Sequence, residues 1–204
     1  MPRCAWASPQ SACRTGDTEL SDLPRRPQRG HASEGIAGEE MRVRGVRRED
    51  LEGILALARR TGVFTSEEIG VVRELVEAEL SNPRQRDYHS LVVETKGRVV
   101  GFACYGPTPM TDGTYDLYWI FVHPSYQKRS IGSALLREVE SAVGQARGRM
   151  LLVDTSSTRR YARARRFYEN FGFQKAAEVK DFYRVDDSRI TYMKQFARES
   201  RPEQ

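Results

Sequence analysis

His123-Pro-Ser-Tyr-Gln-Lys-Arg-Ser-Ile-Gly132 separates a run of β-formers, "TYDLYWIFV", from a segment with Ile131, Leu135, Val139 and Ala142 at helical spacing. A strand that enters a loop and then a helix makes an anion site. The first N–H groups of the helix have no partner within it, and the helix dipole favours negative charge there. Gln127 can donate from its amide, Lys128 and Arg129 add positive charge, and Gly132 lets the backbone approach a ligand closely. A diphosphate fits such a nest. Ser130 stands where the loop would most want a glycine. On the loop alone, an ordinary strand-to-helix turn explains the residues as well.

The surrounding composition bounds the reading. The chain has 204 residues, 39% hydrophobic and 30% charged, with a formal net charge of +5, which fits one soluble domain that favours anionic ligands. Apolar runs fall short of the ~18–20 residues a membrane span needs. Cys4, Cys13 and Cys104 form neither a CxxC pair nor a metal-spaced cluster, and His31, His89 and His123 are scattered, so neither a disulfide framework nor a metal site is expected. A reducing cytoplasm is the simpler setting.

Residues 1–40 are rich in Pro, Gly, Ser and Arg without apolar periodicity, and are expected to be a disordered extension. The acidic residues scattered through them argue against a transit peptide. "MRVRGVRREDLEGIL", from Met41, reads like a domain start, and Met41 is a candidate initiation site. The domain is expected over 41–197, followed by a short polar tail over 198–204.

Within that domain, "RVRGV" reads as a strand. Leu51, Ile54, Leu55 and Ala58 mark one helix. Ile69, Val72, Leu75, Val76 and Leu80 mark a second, with Thr65 and Glu68 at capping-box spacing and Asn82-Pro83 at its end. "HSLVVET" and "RVVGFACYG" form a hairpin at Lys96-Gly97. "RMLLVDTSS" is a buried strand, and "YARARRFYENFGF" a helix stopped by Gly172. Two further strands close the domain. The order is β-α-α-β-β-β-α-β-α-β-β, an α+β fold with a mixed sheet, parallel where the crossover helices run.

In that order the loop resembles the acetyl-CoA loop of the GNAT superfamily of N-acetyltransferases, with pattern Gln/Arg-x-x-Gly-x-Gly/Ala, here Gln127-Lys128-Arg129-Ser130-Ile131-Gly132. "ARRFYENFGF" is similar to the second signature of that family, with Ala164, Tyr168, Gly172 and Phe173 in place. The closing "KDFYRVDDSRITYMKQF" resembles its last hairpin. The resemblance implies a GNAT fold over roughly 41–197 and transfer of an acetyl group from acetyl-CoA to a primary amine of a small molecule, peptide or protein. It implies that the backbone of Ile120, Phe121 and Val122 meets the pantetheine and acyl carbonyl, and that Lys128 to Ser133 hold the diphosphate. Tyr168 would protonate the leaving thiolate, with core packing as its alternative role. Asp116, eleven residues before Gln127, is the candidate base and Asp154 its rival, although ordered water can replace a dedicated base.

Two departures from the family pattern stand out: Ser130 for the first loop glycine, and Tyr161 where the family often has Asn. Ser130 motivates an alternative, a catalytically degenerate module that binds CoA or a partner without turnover. Arg159, Arg160, Arg163, Arg165 and Arg166 suggest either a contact to a CoA phosphate or a solvated basic face. The chain lacks the aromatic stacking motif of an RNA-binding sheet, so nucleic acid is not an expected partner. Tyr115, Tyr118 and Trp119 should alternate between the two faces of their strand. The expected partners are acetyl-CoA and an amine acceptor, without a metal or a membrane; a homodimer is compatible with this reading.

Overall fold

Local signals set the element boundaries. Thr65 Oγ1 accepts from Glu68 N–H, and the Glu68 carboxylate accepts from Thr65 N–H at 2.5 Å, so the capping box starts the second helix. Lys96 and Gly97 both have positive φ, 49° and 68°, which gives the two-residue hairpin turn whose twist suits the strands it joins. Gly172, at φ 83°, follows the last helix and turns the chain into the closing hairpin.

The computed structural model describes the backbone of Ala32–Ser33 and residues 41–82, 87–127 and 129–196. The strands are β1 (Ala32–Ser33), β2 (Met41–Gly45), β3 (His89–Thr95), β4 (Arg98–Pro107), β5 (Thr114–Val122), β6 (Met150–Ser156), β7 (Gln174–Arg184) and β8 (Asp187–Gln195). The helices are α1 (Leu51–Thr61), α2 (Ser66–Ser81), α3 (Ile131–Gln145) and α4 (Ala162–Asn170). From β2 onward this is the order expected from the sequence. Ala32–Ser33 pairs with Met41–Arg42 as a short edge strand. The rest of 1–40, the tail over 198–204 and Lys128 lie outside the described residues.

The strands form one sheet in the order β1-β2-β3-β4-β5-β6-β8-β7. Neighbours run antiparallel except β5 and β6, which are parallel because α3 carries the chain back across the sheet. Each face has its own core. On one face, α3 and α4 bring Ile131, Leu135, Val139 and Tyr168 against Leu117, Leu151 and Val153. On the other, α1 and α2 bring Ile54, Leu55, Val72 and Val76 against Val92, Phe102, Trp119 and Phe121. The start of α3 is drawn close to the sheet at Gly101, where a Cβ would stand 2.8 Å from Ile131 Cγ2 and 3.1 Å from Leu135 Cδ1.

Two irregularities of β5 position the site. Cys104 pairs with Trp119 but Tyr105 pairs with Leu117, so Tyr118 is one residue more than β4 can match. This bulge reverses the parity of the strand. Tyr115 and Leu117 belong with the α3 face. Tyr118 and Trp119, adjacent in sequence, both belong with the α1/α2 face, which corrects the expected alternation of these aromatics. The second irregularity is a divergence. β5 pairs with β6 only over Thr114–Asp116, while its pairing with β4 continues to Val122. Among the described residues, the edge of β5 facing β6 therefore has no strand partner from Leu117 onward.

Candidate functional site

A cleft of about 390 Å³ opens beside that unpartnered edge. Trp119, Ile120, Phe121 and Val122 of β5 form its floor. On an open strand edge, alternate backbone N–H and C=O groups are directed outward, where an extended ligand can take their hydrogen bonds. Gln127, Ser130, Ile131, Gly132 and Ser133 line one end. Ala164, Phe167 and Tyr168 of α4 line it as well, together with Tyr161.

The first helical acceptor of α3 is the Ser130 carbonyl, which takes Ala134 N–H at 2.8 Å. The N–H groups of Ile131, Gly132 and Ser133 precede that bond and have no acceptor within the helix. They gather the positive end of the helix dipole at one end of the cleft. Gly132 keeps the approach open. A Cβ there would touch Phe167 and Val122 at 3.6 and 3.7 Å, ordinary contact distances, but would occupy the lining.

Ser130 is the N-cap of α3 at φ 59° and ψ 10°, in the left-handed region, and its side chain makes no capping bond. This is the conformation in which the Cβ of an L-residue meets the backbone, at a cost of about 1 kcal/mol or more. Ser130→Gly is therefore expected to stabilise the fold by about 1 kcal/mol. Urea denaturation measures it; an unchanged midpoint would mean that the serine backbone carries no strain.

Gln127 has a defined orientation. Arg163, at the start of α4, donates to Gln127 Oε1. An arginine has donors only, so the amide oxygen must face it and the amide N–H₂ is left to face away. Arg165 donates to the carbonyls of Ser156 and Thr158 at 2.7 and 2.9 Å and so braces the end of β6. Arg160 donates to the carbonyl of Gly62. The arginine-rich segment thus divides into separate local roles.

The candidate site residues fall into two groups. Tyr168, Gln127, Ile120, Phe121, Val122, Ser130, Ile131, Gly132 and Ser133 line one cleft. Arg129 is exposed beside it, its guanidinium 5.1 Å from the Tyr126 ring centroid. Asp116 is not among the lining residues. It lies on β5 before the bulge and accepts from Thr108 Oγ1 at 2.6 Å. Asp154, its rival, accepts from Thr191 Oγ1 at 2.5 Å and lies 3.7 Å from Arg189.

Burial pushes the Asp116 carboxyl up from its ordinary 3.8; the Thr108 hydrogen bond opposes the rise and Asp154 adds to it. A carboxyl raised on folding contributes stability at low pH that is lost as pH rises through its folded value. Asp116→Asn should therefore be more stable than the parent at neutral pH, with the gap closing towards about pH 4. Urea midpoints at the two pH values check this; a gap that widens on acidification would contradict it.

Phe64, Trp119, Tyr126 and Phe167 also line the cleft, and the sequence patterns alone do not assign the loop residues among them. Phe64 stands edge-on to Trp119 and Phe121, with both ring centroids at 5.2 Å. Among the described residues, no group of three His, Cys, Asp or Glu side chains could hold a metal ion, and no helix is long and apolar enough to cross a membrane.

Comparison with known proteins agrees with this geometry. The family model described as an acetyltransferase (GNAT) domain matches residues 86–175. N-alpha-acetyltransferase RimI of Mycobacterium tuberculosis (strain ATCC 25618 / H37Rv) is 33% identical over 110 residues, 52% of this chain; the chain spans 63% of that curated relative's length. A GNAT-family protein from Desulfovibrio desulfuricans superposes with a TM-score of 0.74 at 42% identity, over 76% of this chain and 98% of that one. YncA from Salmonella typhimurium, solved with its cofactor acetyl-CoA, shares the fold at a TM-score of 0.64 and 19% identity, over 80% of this chain and 98% of that one.

Proposed function

This chain belongs to the GNAT superfamily of N-acetyltransferases, and on that footing we propose that it transfers the acetyl group of acetyl-CoA to a primary amine. The observation that carries the proposal is the convergence on one cleft of three features: the N–H groups that open α3, the unpartnered edge of β5, and the Tyr168 side chain.

The pieces fit an acyl-CoA. Its diphosphate would lie on the N–H groups of Ile131, Gly132 and Ser133, with the amide of Gln127 and the charges of Lys128 and Arg129 beside it. Its pantetheine would run along the backbone of Ile120, Phe121 and Val122. The amine nitrogen attacks the thioester carbonyl carbon; the carbonyl oxygen becomes the oxyanion and would be met by a backbone N–H near Phe121. When the C–S bond breaks, the thiolate takes a proton from the Tyr168 hydroxyl. That step is slightly uphill, from a group of ordinary pKa ~10 to one of ~8.5. The attacking nitrogen loses its own proton to water or to a base. Asp116 is retained as the base only through an intervening water, because it does not line the cleft.

The acceptor belongs to the same reading: a small-molecule amine or the amine of a peptide or protein. The activity named for the mycobacterial relative favours a peptide α-amine. A cytoplasmic setting goes with an acetyl-CoA donor. Calorimetry should register acetyl-CoA binding, and free thiol should appear when amines are added. The strained Ser130 keeps one second reading, a CoA-binding module without turnover; binding with no thiol release across peptide and small amines would select it. No binding at millimolar acetyl-CoA would defeat both.

A further inference from the structure

The cleft has a side that the donor does not need. Thr61, Val63 and Phe64, from the loop between α1 and α2, line it together with Arg160 from the turn before α4. The two segments are 98 residues apart in sequence, yet the Arg160 guanidinium donates to the carbonyl of Gly62. Gly62 is the C-cap of α1, at φ 65°. Arg160 therefore meets a carbonyl at the negative end of a helix dipole, where a cation is favoured. Arg59 and Arg60 occupy the last turn of α1, so the same end also carries like charge that opposes the contact. All three arginines are exposed, so both the attraction and the repulsion are screened. The result is a contact that can open.

We propose that Arg160 is a clasp which fastens the α1–α2 loop across the cleft and selects acceptors by their cross-section. Thr61 and Val63, on either side of Gly62, and Arg160 itself all line the cleft, so the bond joins two segments of its lining. Phe64 follows the clasped glycine by two residues and stacks edge-on to Trp119 and Phe121. Clasped, the loop holds Phe64 down over the floor and narrows the approach to the acyl end. Released, the loop lifts at Gly62 and admits a wider amine. Arg160 touches neither reacting atom in this scheme; it acts as a positioning residue through Phe64. The acceptor-selection part rests on the acetyltransferase reading, whereas the clasp itself does not.

Trp119 reports on the clasp directly. It is 1% exposed beneath Phe64, and Trp6 is the other tryptophan of the chain. In a Trp6→Phe background, acrylamide quenching reads the shielding of Trp119 alone. Arg160→Ala should raise the quenching constant several-fold. It should also raise the rate with a bulky amine relative to a slim one, benzhydrylamine against propylamine, by about tenfold, the weight of one charge-assisted hydrogen bond. Arg159→Ala, equally exposed and one residue away, should change neither. Unchanged quenching in Arg160→Ala overturns the clasp. Raised quenching with an unchanged amine ratio overturns the selection while the clasp stands. A quenching difference between Arg160→Ala and its parent, together with a parent that binds no acetyl-CoA, overturns the acetyltransferase reading instead.

Discussion

Replacing Tyr168 by phenylalanine should lower turnover by about 100-fold or more, the usual weight of a positioned general acid. Acetyl-CoA affinity should change by no more than about threefold, because none of the proposed diphosphate and pantetheine contacts is made by the Tyr168 hydroxyl. The substitution isolates the hydroxyl. Tyr168 is 2% exposed, and its ring sits among Phe167, Phe173 and Tyr192 with centroids at 5.6, 5.9 and 6.1 Å. Phenylalanine keeps these contacts, so the loss of stability should be about 1 kcal/mol, one hydrogen bond. Steady-state kinetics with saturating acetyl-CoA separate the effects. A tyrosine that serves only the core would leave turnover intact while stability fell. A tyrosine that serves the reaction lowers kcat with little change in the binding isotherm.

The second large effect belongs to Gly132. Gly132→Val should weaken acetyl-CoA binding by about 100-fold or more, the equivalent of two charge-assisted hydrogen bonds to the N–H groups that open α3. The fold should tolerate the change. A Cβ meets Phe167 and Val122 only at ordinary contact distances, and valine is a better helix residue than glycine. The two further methyl groups have the lining of the cleft to fill. Calorimetry and urea denaturation on the same preparation check both halves. Unchanged affinity would mean that the diphosphate does not approach this turn. A collapse of stability would mean that the glycine serves packing.

What the sequence disclosed of this fold was local. The capping pair Thr65 and Glu68, the turn Lys96-Gly97 and the stop at Gly172 each announce an element through residues a few positions apart, and each is where the sequence placed it. The apolar stripes disclosed the buried faces for the same reason; Ile54, Leu55 and Ala58 of α1 are all fully buried. The bulge at Tyr118 was not legible, because it exists only in the register of β5 against β4. Its consequence, two adjacent aromatics on one face, contradicts the alternation any isolated strand would suggest. The divergence of β5 from β6 was equally hidden, since it concerns where pairing stops.

The loop end of the proposed site was legible because its residues form a contiguous loop and helix start, and they line one cleft. Ser130 raised its question in the sequence and received its answer from a backbone angle. Phe64 escaped notice as a site residue, and the sequence offered Arg160 only as a phosphate contact or a solvated charge, because their contacts join segments far apart in the chain. Asp116 was singled out by its offset to Gln127; that offset spans the bulge, and the carboxylate, outside the cleft lining, accepts a hydrogen bond from Thr108.

A crystal structure of the protein with CoA tests the central claim most directly. The account predicts diphosphate oxygens within hydrogen-bond distance of the N–H groups of Ile131, Gly132 and Ser133, pantetheine along Ile120 to Val122, and the thiol beside the Tyr168 hydroxyl. CoA bound elsewhere, or bound in this cleft with its sulfur remote from Tyr168, would contradict it.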